Sequence, residues 1–312
     1  SYFGLCPFHS EKSPSFSVSR DKQMYYCFGC GAGGNVFTFI MEYENYSFVE
    51  ALKFLAQRAG VELPQEEYSK EAKERADTRS ALLEMNKLAA KYYYAQLKTE
   101  GGRQAREYLQ NRQLSQETIT AFGLGYSSKY SDDLFRYLKM KGYSEEMIIK
   151  AGLVNVDEKH GVYDKFWNRV MFPIMDNRKR VIGFGGRVMG DGKPKYLNSP
   201  ETPVFDKSRN LYGLHLARTS RKPNIILCEG YMDVIAMHQA GFNQAVASLG
   251  TAFTQQQSTI LKRYTDEVLL TYDSDDAGIK AAMRAIPILK DAGIRARVIN
   301  MEPYKDPDEF IK

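Results

Sequence analysis

The sequence has 312 residues, with 43% hydrophobic residues, 26% charged residues and a net charge of +5. This length and composition predict two or three globular domains that fold without disulfides. They exclude a membrane-spanning protein and a secreted disulfide scaffold, because the longest uncharged stretch, 234–261, is too polar to span a bilayer and only four cysteines are present.

The first residues lack the basic start and apolar core of a signal peptide, so we expect none. The sequence begins with Ser, and we therefore expect it to be part of a longer protein. Residues 1–64 are rich in Cys, Gly and aromatic residues. Apolar residues alternate with polar ones on both sides of an Arg-Asp-Lys turn at 20–22, which predicts a β-hairpin. Ser47 begins a capping-box pattern, which predicts a helix that ends at Gly60.

Two pairs of metal-binding residues flank this hairpin, Cys6 with His9 and Cys27 with Cys30. The spacing within each pair suits a tetrahedral Zn²⁺ held by three thiolates and one imidazole, as in a cytosolic metal site. Four protein ligands complete the coordination sphere, so the predicted zinc is structural. Cys228 lies in an apolar run and is predicted to be a small buried side chain.

The aromatic residues of this segment have two possible roles. They could form a miniature core, or some could stack on unpaired bases. They are Phe16, Tyr25, Tyr26 and Phe28. Arg20 and Lys22 at the hairpin turn could contact phosphates or simply face solvent.

A charged, apolar-poor segment follows from Pro64 to about Thr78 and predicts a linker that could be partly helical, with a solvated helix face as the alternative. Residues 82–97 predict an amphipathic helix. After them we predict short helices near 104–112, 115–122, 131–141 and 144–151. Short β-like segments with turns begin at about residue 160.

From Asn224 onward, four short apolar runs alternate with three helical stretches. The runs are NIILC, QAVAS, EVLLTY and ARVINM, and the helical stretches are 231–240, 254–264 and 276–292. This alternation predicts a parallel sheet in a doubly wound α/β unit.

Acidic residues follow three of these predicted strands. Glu229 follows the first, Asp273 and Asp275 follow the third, and Asp306 and Asp308 follow the fourth. Functional groups gather at the carboxyl ends of parallel strands, so we expect the five carboxylates to repel one another unless cations bind them. Such oxygen ligands suit Mg²⁺ or Mn²⁺, and two such ions could support phosphoryl transfer. The alternative is that these acids only cap loops and helices.

The mild net charge conceals an uneven distribution. Residues 160–222 contain 13 Lys+Arg and 5 Asp+Glu, a net charge of +8, whereas residues 223–312 contain 9 and 12, a net charge of −3. A basic track beside a metal site is what a polyphosphate backbone needs in order to reach it. Four residues add stacking and hydrogen-bonding groups to this track, namely Phe166, Trp167, Tyr196 and Asn198. The alternative is a basic but inert surface.

Three sets of motifs together resemble the bacterial replicative primases of the DnaG type, over essentially the whole sequence. The first is CPFHSEKSPSFSVSRDKQMYYCFGCGAGGN. The second is NRVMFPIMDNRKRVIGFGGRV with PKYLNSPETPVFDKS. The third consists of the TOPRIM (topoisomerase-primase) signatures EGYMDV, TYDSDDAG and KDPDE.

This resemblance implies a multidomain α+β and α/β fold. It comprises a zinc ribbon at 1–65, a linker at 66–78, a mixed α+β part of an RNA polymerase domain at 79–222, and a Rossmann-like TOPRIM parallel sheet at 223–312. It implies a DNA primase, a nucleotidyltransferase that makes short RNA primers on single-stranded DNA from ribonucleoside triphosphates, leaving an RNA–DNA hybrid. The zinc ribbon is expected to help recognise the start site and to act on its own or a neighbouring primase.

The resemblance also assigns residues. Glu229 would aid proton transfer or metal binding, and Asp273, Asp275, Asp306 and Asp308 would hold Mg²⁺, with Asp233 as a further acid. A basic ridge for the template would comprise Arg169, Arg187, Lys195 and Lys207, to which we add Tyr196 and Asn198. The expected partners include a replicative helicase, bound through a C-terminal domain outside this sequence, and no membrane. The expected location is the bacterial cytoplasm, at the replication fork, and the expected state is a monomer.

Other functions remain open at this stage. A TOPRIM nuclease or topoisomerase would share the acidic residues, although no segment marks a nucleophilic tyrosine domain. A non-catalytic single-strand-binding mediator would not need all three acidic groups. A phage helicase-primase would carry a GxxxxGK[ST] loop, which this sequence lacks.

Overall fold

The structure is a computed structural model that describes residues 1–8, 11, 13–44, 46, 48–63, 70–159 and 161–312. A first sheet has four antiparallel strands in sequential order, and two helices follow it. Its elements are β1 (Tyr2–Gly4), β2 (Phe16–Ser19), β3 (Met24–Cys27), β4 (Gly33–Asn35), α1 (Val36–Glu44) and α2 (Phe48–Ala59). The predicted hairpin is β2–β3 and the predicted helix is α2, but the predicted cap, Ser47, lies outside the described residues.

We call strands β1–β4 with helices α1 and α2 the first unit. Its aromatic residues divide into two groups. Phe16 and Tyr25 are buried, and their rings stack with centroids 5.2 Å apart, so they form the miniature core. Tyr26 and Phe28 are 49% and 70% exposed, so they are free of that core. Alternation along β3 turns the adjacent Tyr25 and Tyr26 to opposite faces of the sheet. The sequence alone does not show which of the two faces is buried.

The segment read as a linker is helical from residue 70 onward. Helix α3 runs over Lys70–Leu97, so it begins twelve residues before the predicted helix at residue 82. This stretch contains mostly Ala, Glu, Lys and Arg, which are strong helix formers, and its residues 74–77 are exposed. The alternative, a solvated helix face, therefore describes the segment that the structure shows. The boundaries of the domains themselves stay predictions.

The middle of the chain packs short helices around an antiparallel sheet of order β10-β9-β8-β5 and a separate hairpin, β6–β7. The predicted short helices are confirmed as α4 (Arg103–Asn111), α5 (Gln116–Ala121), α6 (Asp133–Met140) and α7 (Glu145–Lys150). The remaining elements are β5 (Gly125–Ser127), β6 (Val154–Asp157), β7 (Gly161–Asp164), β8 (Arg169–Met175), β9 (Val181–Val188), β10 (Tyr196–Asn198) and α8 (Leu214–Ala217).

The last part is the predicted parallel sheet, with strand order β12-β11-β13-β14. Its elements are β11 (Ile225–Cys228), α9 (Tyr231–Gln239), β12 (Ala245–Ala247), α10 (Gln255–Lys262), β13 (Glu267–Thr271), α11 (Asp276–Asp291), β14 (Arg295–Val298) and α12 (Pro307–Phe310). Strand β12, which follows β11 in the chain, lies on one side of β11, and the next strand, β13, lies on its other side. A crevice therefore opens at the carboxyl ends of these two strands.

The antiparallel and parallel sheets share one apolar core. The ring of Phe172 on β8 stacks on Tyr231 of α9 with centroids 5.1 Å apart. The Asn198 side chain spans the same junction, since its Nδ2 donates to Leu249 O at 2.9 Å and its Oδ1 accepts from the Tyr231 hydroxyl at 2.6 Å. This junction fixes β10 against the edge of the parallel sheet.

The first unit meets the rest of the chain through charged and polar contacts. Glu50 on α2 forms ion pairs with Arg178 at 3.2 Å and Arg180 at 3.4 Å. The Arg178 guanidinium also lies 3.2 Å from the ring centroid of Tyr46. Arg263 donates to the carbonyl of residue 42 at 3.0 Å. None of the described helices combines the length and the apolar character that a membrane span requires.

Candidate functional site

The crevice between β11 and β13 brings two of the predicted acids together. Cys228 pairs with Thr271 at the ends of these parallel strands, so Glu229 and Asp273 follow at neighbouring positions. The backbone N–H of Asp273 donates to Glu229 Oε1 at 3.2 Å. Both side chains are half-buried. Both residues therefore lie where the sequence predicted them, at the carboxyl ends of neighbouring parallel strands.

Two further acids cap helices while still facing this region. Asp275 Oδ1 accepts from the N–H groups of Ala277 and Gly278 at 3.0 and 2.9 Å, at the start of α11. Asp306 Oδ1 accepts from Glu309 N at 2.9 Å, at the start of α12. Each carboxylate uses one oxygen in its cap, so the capping alternative and a ligand role are compatible for both residues.

Asp308 has a different environment. It is 2% exposed, its Oδ2 lies 2.6 Å from Arg112 Nη1, and its Oδ1 lies 2.8 Å from Lys312 Nζ. The Lys312 contact is an ion pair without hydrogen-bond geometry. We call Glu229, Asp233, Asp273, Asp275, Asp306 and Asp308 together the acidic edge.

Mutual repulsion shapes the protonation of the acidic edge. Burial, together with the charges of neighbouring carboxylates, raises the pKa of Glu229 and of Asp273. Burial and the charges of Asp273 and Asp306 raise the pKa of Asp233 to about 8. The positive charges of Lys305 and Lys195 act in the opposite direction on Asp273. In the absence of cations, the acidic edge therefore holds protons that a bound metal would displace.

The acidic edge is open rather than a closed cage. Among the described residues, the only group of three or more potential metal ligands within 4.8 Å of one another consists of cysteines. Spread carboxylates suit Mg²⁺, which keeps several waters and is commonly shared between one or two carboxylates and substrate phosphates. The donor set therefore fits Mg²⁺ or Mn²⁺, and the assignment of individual ligands stays a prediction.

Gly278 allows α11 to approach this crevice closely. A Cβ at this position would collide with the carbonyl oxygen of Asp273 and would lie 2.7 Å from Glu229 Oε1. We expect Gly278→Ala to destabilise the protein by about 1–3 kcal/mol through overpacking, despite the better helix propensity of Ala. Urea denaturation would measure the loss of stability, and Mn²⁺ binding would show whether the crevice is affected as well. Gly101→Ala is the control, because its Cβ would meet only Thr99 Oγ1, at 3.7 Å. Equal stability of both variants would contradict the prediction.

The proton on Asp233 gives stability a defined pH dependence. The folded group keeps its proton up to about pH 8, whereas an unfolded Asp ionises near pH ~3.9. The folded protein therefore loses stability relative to Asp233→Asn as pH rises from about 4 to about 8. Urea denaturation of metal-free protein at several pH values would show this difference widening with pH. The exposed Asp291→Asn is the control, and a constant difference for Asp233→Asn would exclude the buried proton.

The three cysteines of the predicted zinc site lie together. The Sγ atoms of Cys6, Cys27 and Cys30 lie within 4.8 Å of one another, and Cys6 Sγ is 3.8 Å from Cys30 Sγ. A tetrahedron with Zn–S bonds of about 2.3 Å has edges of about 3.8 Å, so the thiolates fit zinc. Burial opposes ionisation of Cys27, but hydrogen bonds from Ser15 and from the backbone of Cys30 lower its pKa to about 7. The fourth predicted ligand, His9, lies outside the described residues.

Cys228 is buried, as predicted, and Thr271 Oγ1 lies 3.3 Å from its Sγ. It therefore packs inside the parallel sheet, away from the cysteine cluster.

The predicted basic ridge contains side chains in several environments. Arg169 is buried, with Nη1 donating to Gly186 O at 3.2 Å and Pro194 O at 2.9 Å. It therefore offers little surface to a template. Lys195 is exposed, and its charge acts on Asp273 of the acidic edge.

The other members of the basic ridge also differ. Tyr196 is 37% exposed, Lys207 is partly exposed, and Asn198 is engaged in the junction described above. Template contact by each of these residues stays a prediction. The guanidinium carbon of Arg187 lies 4.2 Å from the ring centroid of Tyr108.

Three residues near this surface were missed by sequence reasoning. Tyr108 lies on α4 and Arg112 directly follows it, in a region without net charge, so no compositional signal marks them. Burial, together with the charges of Lys207 and Arg169, lowers the pKa of Lys165. The sequence does place Lys165 in the basic segment, and that signal could have identified it.

The sequence matches three known family profiles. They are the CHC2 zinc finger over residues 1–71, the N-terminal domain of the DNA primase catalytic core over 92–218, and a Toprim-like domain over 226–311. The chain is 48% identical to a DNA primase of Clostridium acetobutylicum and 44% identical to one of Geobacillus stearothermophilus, in each case over its full length. It spans 52% and 53% of these relatives, about half their length.

Solved structures show the same relationship. The zinc-binding and RNA polymerase domains of Aquifex aeolicus primase match with a TM-score of 0.68 and 38% identity, over 99% of this chain and 75% of that one. A DnaG primase catalytic domain bound to single-stranded DNA matches with a TM-score of 0.69 and 40% identity, over 75% and 74% of the two chains. With this identity and coverage, the chain belongs to the DnaG family of bacterial DNA primases.

Proposed function

We propose that this chain is the primer-synthesising part of a DNA primase. It would use single-stranded DNA as template and join ribonucleotides into short RNA primers for DNA replication. The observation that carries this proposal is that the basic ridge meets the acidic edge. Arg187 of the basic ridge lies 4.2 Å from the ring centroid of Tyr108, Arg112 lies 5.8 Å from the same centroid, and Arg112 Nη1 lies 2.6 Å from Asp308 Oδ2. A nucleic acid on the basic ridge would present its phosphates directly to the acidic edge.

The reaction would form a bond between the 3′ oxygen of one ribonucleotide and the α-phosphorus of the next, and would break the bond from that phosphorus to pyrophosphate. Divalent metal, when bound, would neutralise the charge of the attacking and leaving oxygens. Glu229 is suited to accept the 3′ hydroxyl proton, because its raised pKa brings it closer to neutral pH. Asp273, Asp275 and Asp306 would hold the metal, while cationic side chains of the basic ridge would hold the template.

We also infer the surroundings of this activity. The cysteine cluster, completed by His9, would hold a structural zinc ion, and the exposed rings of Tyr26 and Phe28 could stack on template bases. The partners would be single-stranded DNA, ribonucleoside triphosphates and the RNA–DNA hybrid, with a replicative helicase bound by a C-terminal domain. The protein would act as a monomer in the bacterial cytoplasm.

The proposed function is tested by ribonucleotide incorporation. The protein is incubated with unlabelled single-stranded DNA, labelled ribonucleotides and Mg²⁺, and the products are separated by length. We expect short labelled RNA that disappears when Mg²⁺ is omitted. End-labelled DNA in a parallel reaction should keep its length, whereas shortening would indicate a nuclease. Binding of the DNA without incorporation would indicate a non-catalytic mediator.

A further inference from the structure

Asp308 differs from the other members of the acidic edge because protein cations already occupy both of its oxygens. Arg112 Nη1 lies 2.6 Å from Oδ2 and Lys312 Nζ lies 2.8 Å from Oδ1. Its side chain is 3% exposed. Asp275 and Asp306, by contrast, each use only Oδ1 in a helix cap. A metal ion could bind the buried Asp308 carboxylate only by displacing Arg112 or Lys312 from it.

Arg112 connects this carboxylate to the basic ridge. It follows α4 directly, and its guanidinium carbon lies 5.8 Å from the ring centroid of Tyr108. Arg187 of the basic ridge lies 4.2 Å from the centroid of the same ring. A continuous set of contacts therefore runs from Asp308 through Arg112 and Tyr108 to Arg187. The Arg112 side chain remains 34% exposed, so part of its guanidinium can still reach a ligand.

We propose that Asp308 is a positioning residue for Arg112 and does not bind the divalent metal. A guanidinium held by a buried carboxylate is fixed in direction, and its remaining N–H groups match the geometry of a phosphate oxyanion. Arg112 would therefore bind a phosphate group where the basic ridge meets the acidic edge. This inference rests on the proposed function. The phosphate could belong to the template backbone or to a ribonucleoside triphosphate.

The metal half of the proposal is tested by Mn²⁺ binding to the whole chain in calorimetry. We expect Asp308→Asn to keep the Mn²⁺ affinity of the wild type within about threefold, and Asp273→Asn to lose at least about tenfold. A loss by Asp308→Asn as large as that of Asp273→Asn would overturn the proposal.

The positioning half is tested with two phosphate ligands. A fluorescein-labelled single-stranded oligonucleotide is titrated by anisotropy, and ATP is titrated by calorimetry without added divalent cations. We expect Arg112→Met and Asp308→Asn to weaken one of these ligands by the same factor, about tenfold, and the double variant to be no weaker than either single variant. The arm that responds identifies the source of the phosphate. Losses that multiply, or no loss in either arm, would overturn the proposal.

Arg103→Met is the matched control, because Arg103 begins α4, which Arg112 directly follows, its side chain is 70% exposed, and it pairs with Glu107 at the surface. If Asp308→Asn does not fold, Arg112→Met decides, since the proposal requires it to lose phosphate affinity and to keep Mn²⁺ affinity. A wild-type chain that incorporates no ribonucleotide would overturn the proposed function while leaving these binding measurements valid. If the wild-type chain incorporates ribonucleotides normally but Asp308→Asn loses Mn²⁺ affinity, only this inference is overturned.

Discussion

Replacing Glu229 by Gln or Asp273 by Asn is expected to reduce ribonucleotide incorporation by about 10³-fold or more. Each change keeps the shape of the side chain and removes the charge that a divalent metal requires. Both residues lie at the ends of β11 and β13, and Glu229 accepts a hydrogen bond from Asp273 N, which the amide oxygen of Gln can also accept. The fold should therefore persist, and urea denaturation would check it.

The control for these variants is Asp291→Asn at the exposed end of α11, which removes a similar charge far from the crevice. Mn²⁺ calorimetry would accompany the activity measurement, because loss of metal affinity identifies the cause of the lost activity. Wild-type incorporation by either Glu229→Gln or Asp273→Asn would refute the assigned role of the acidic edge.

Replacing Cys27 by Ser is expected to remove zinc from the protein and to reduce initiation of new primers by at least about tenfold. The first unit depends on this site because its core is small, consisting of Cys6, Cys27 and a few aromatic rings. Extension of an annealed RNA primer should change little, because the acidic edge and the basic ridge lie in other sheets. Zinc content by metal analysis and the ratio of initiation to extension would measure the two effects.

Cys228→Ala is the control for zinc content, since this cysteine is buried in the parallel sheet and should leave one zinc per chain. Removal of zinc from the wild type by a chelator should reproduce the effect of Cys27→Ser on initiation. Normal initiation by zinc-free protein would show that the first unit has no part in starting primers.

The sequence predicts those parts of the fold that depend on local periodicity. Alternation of apolar runs and helices identified the parallel sheet, and the topology of such sheets placed Glu229 and Asp273 at one edge. The start of α3 was mistaken because its first turns carry almost no apolar residues, and only its intrinsic helix propensity marks them.

Contacts between distant segments could not be predicted in this way. Arg112 and Asp308 are 196 positions apart in the sequence, and neither has a local pattern that indicates the other. The same holds for Asn198, whose side chain bridges Leu249 and Tyr231. A polar residue in a basic, β-rich segment could contact a ligand or could join two parts of the protein. For Asn198, only the packing shows that its side chain joins the two sheets.

The two junctions described above should respond differently to salt. The antiparallel and parallel sheets meet through buried rings such as Phe172 and Tyr231, and apolar contacts do not weaken as ions are added. The first unit is held by Glu50 with Arg178 and Arg180, and the screening length falls from about 10 Å at 0.1 M salt to about 3 Å at 1 M. Ionic strength would thus set how firmly the first unit is held, while the crevice between β11 and β13 remains joined to the antiparallel sheet through their shared core.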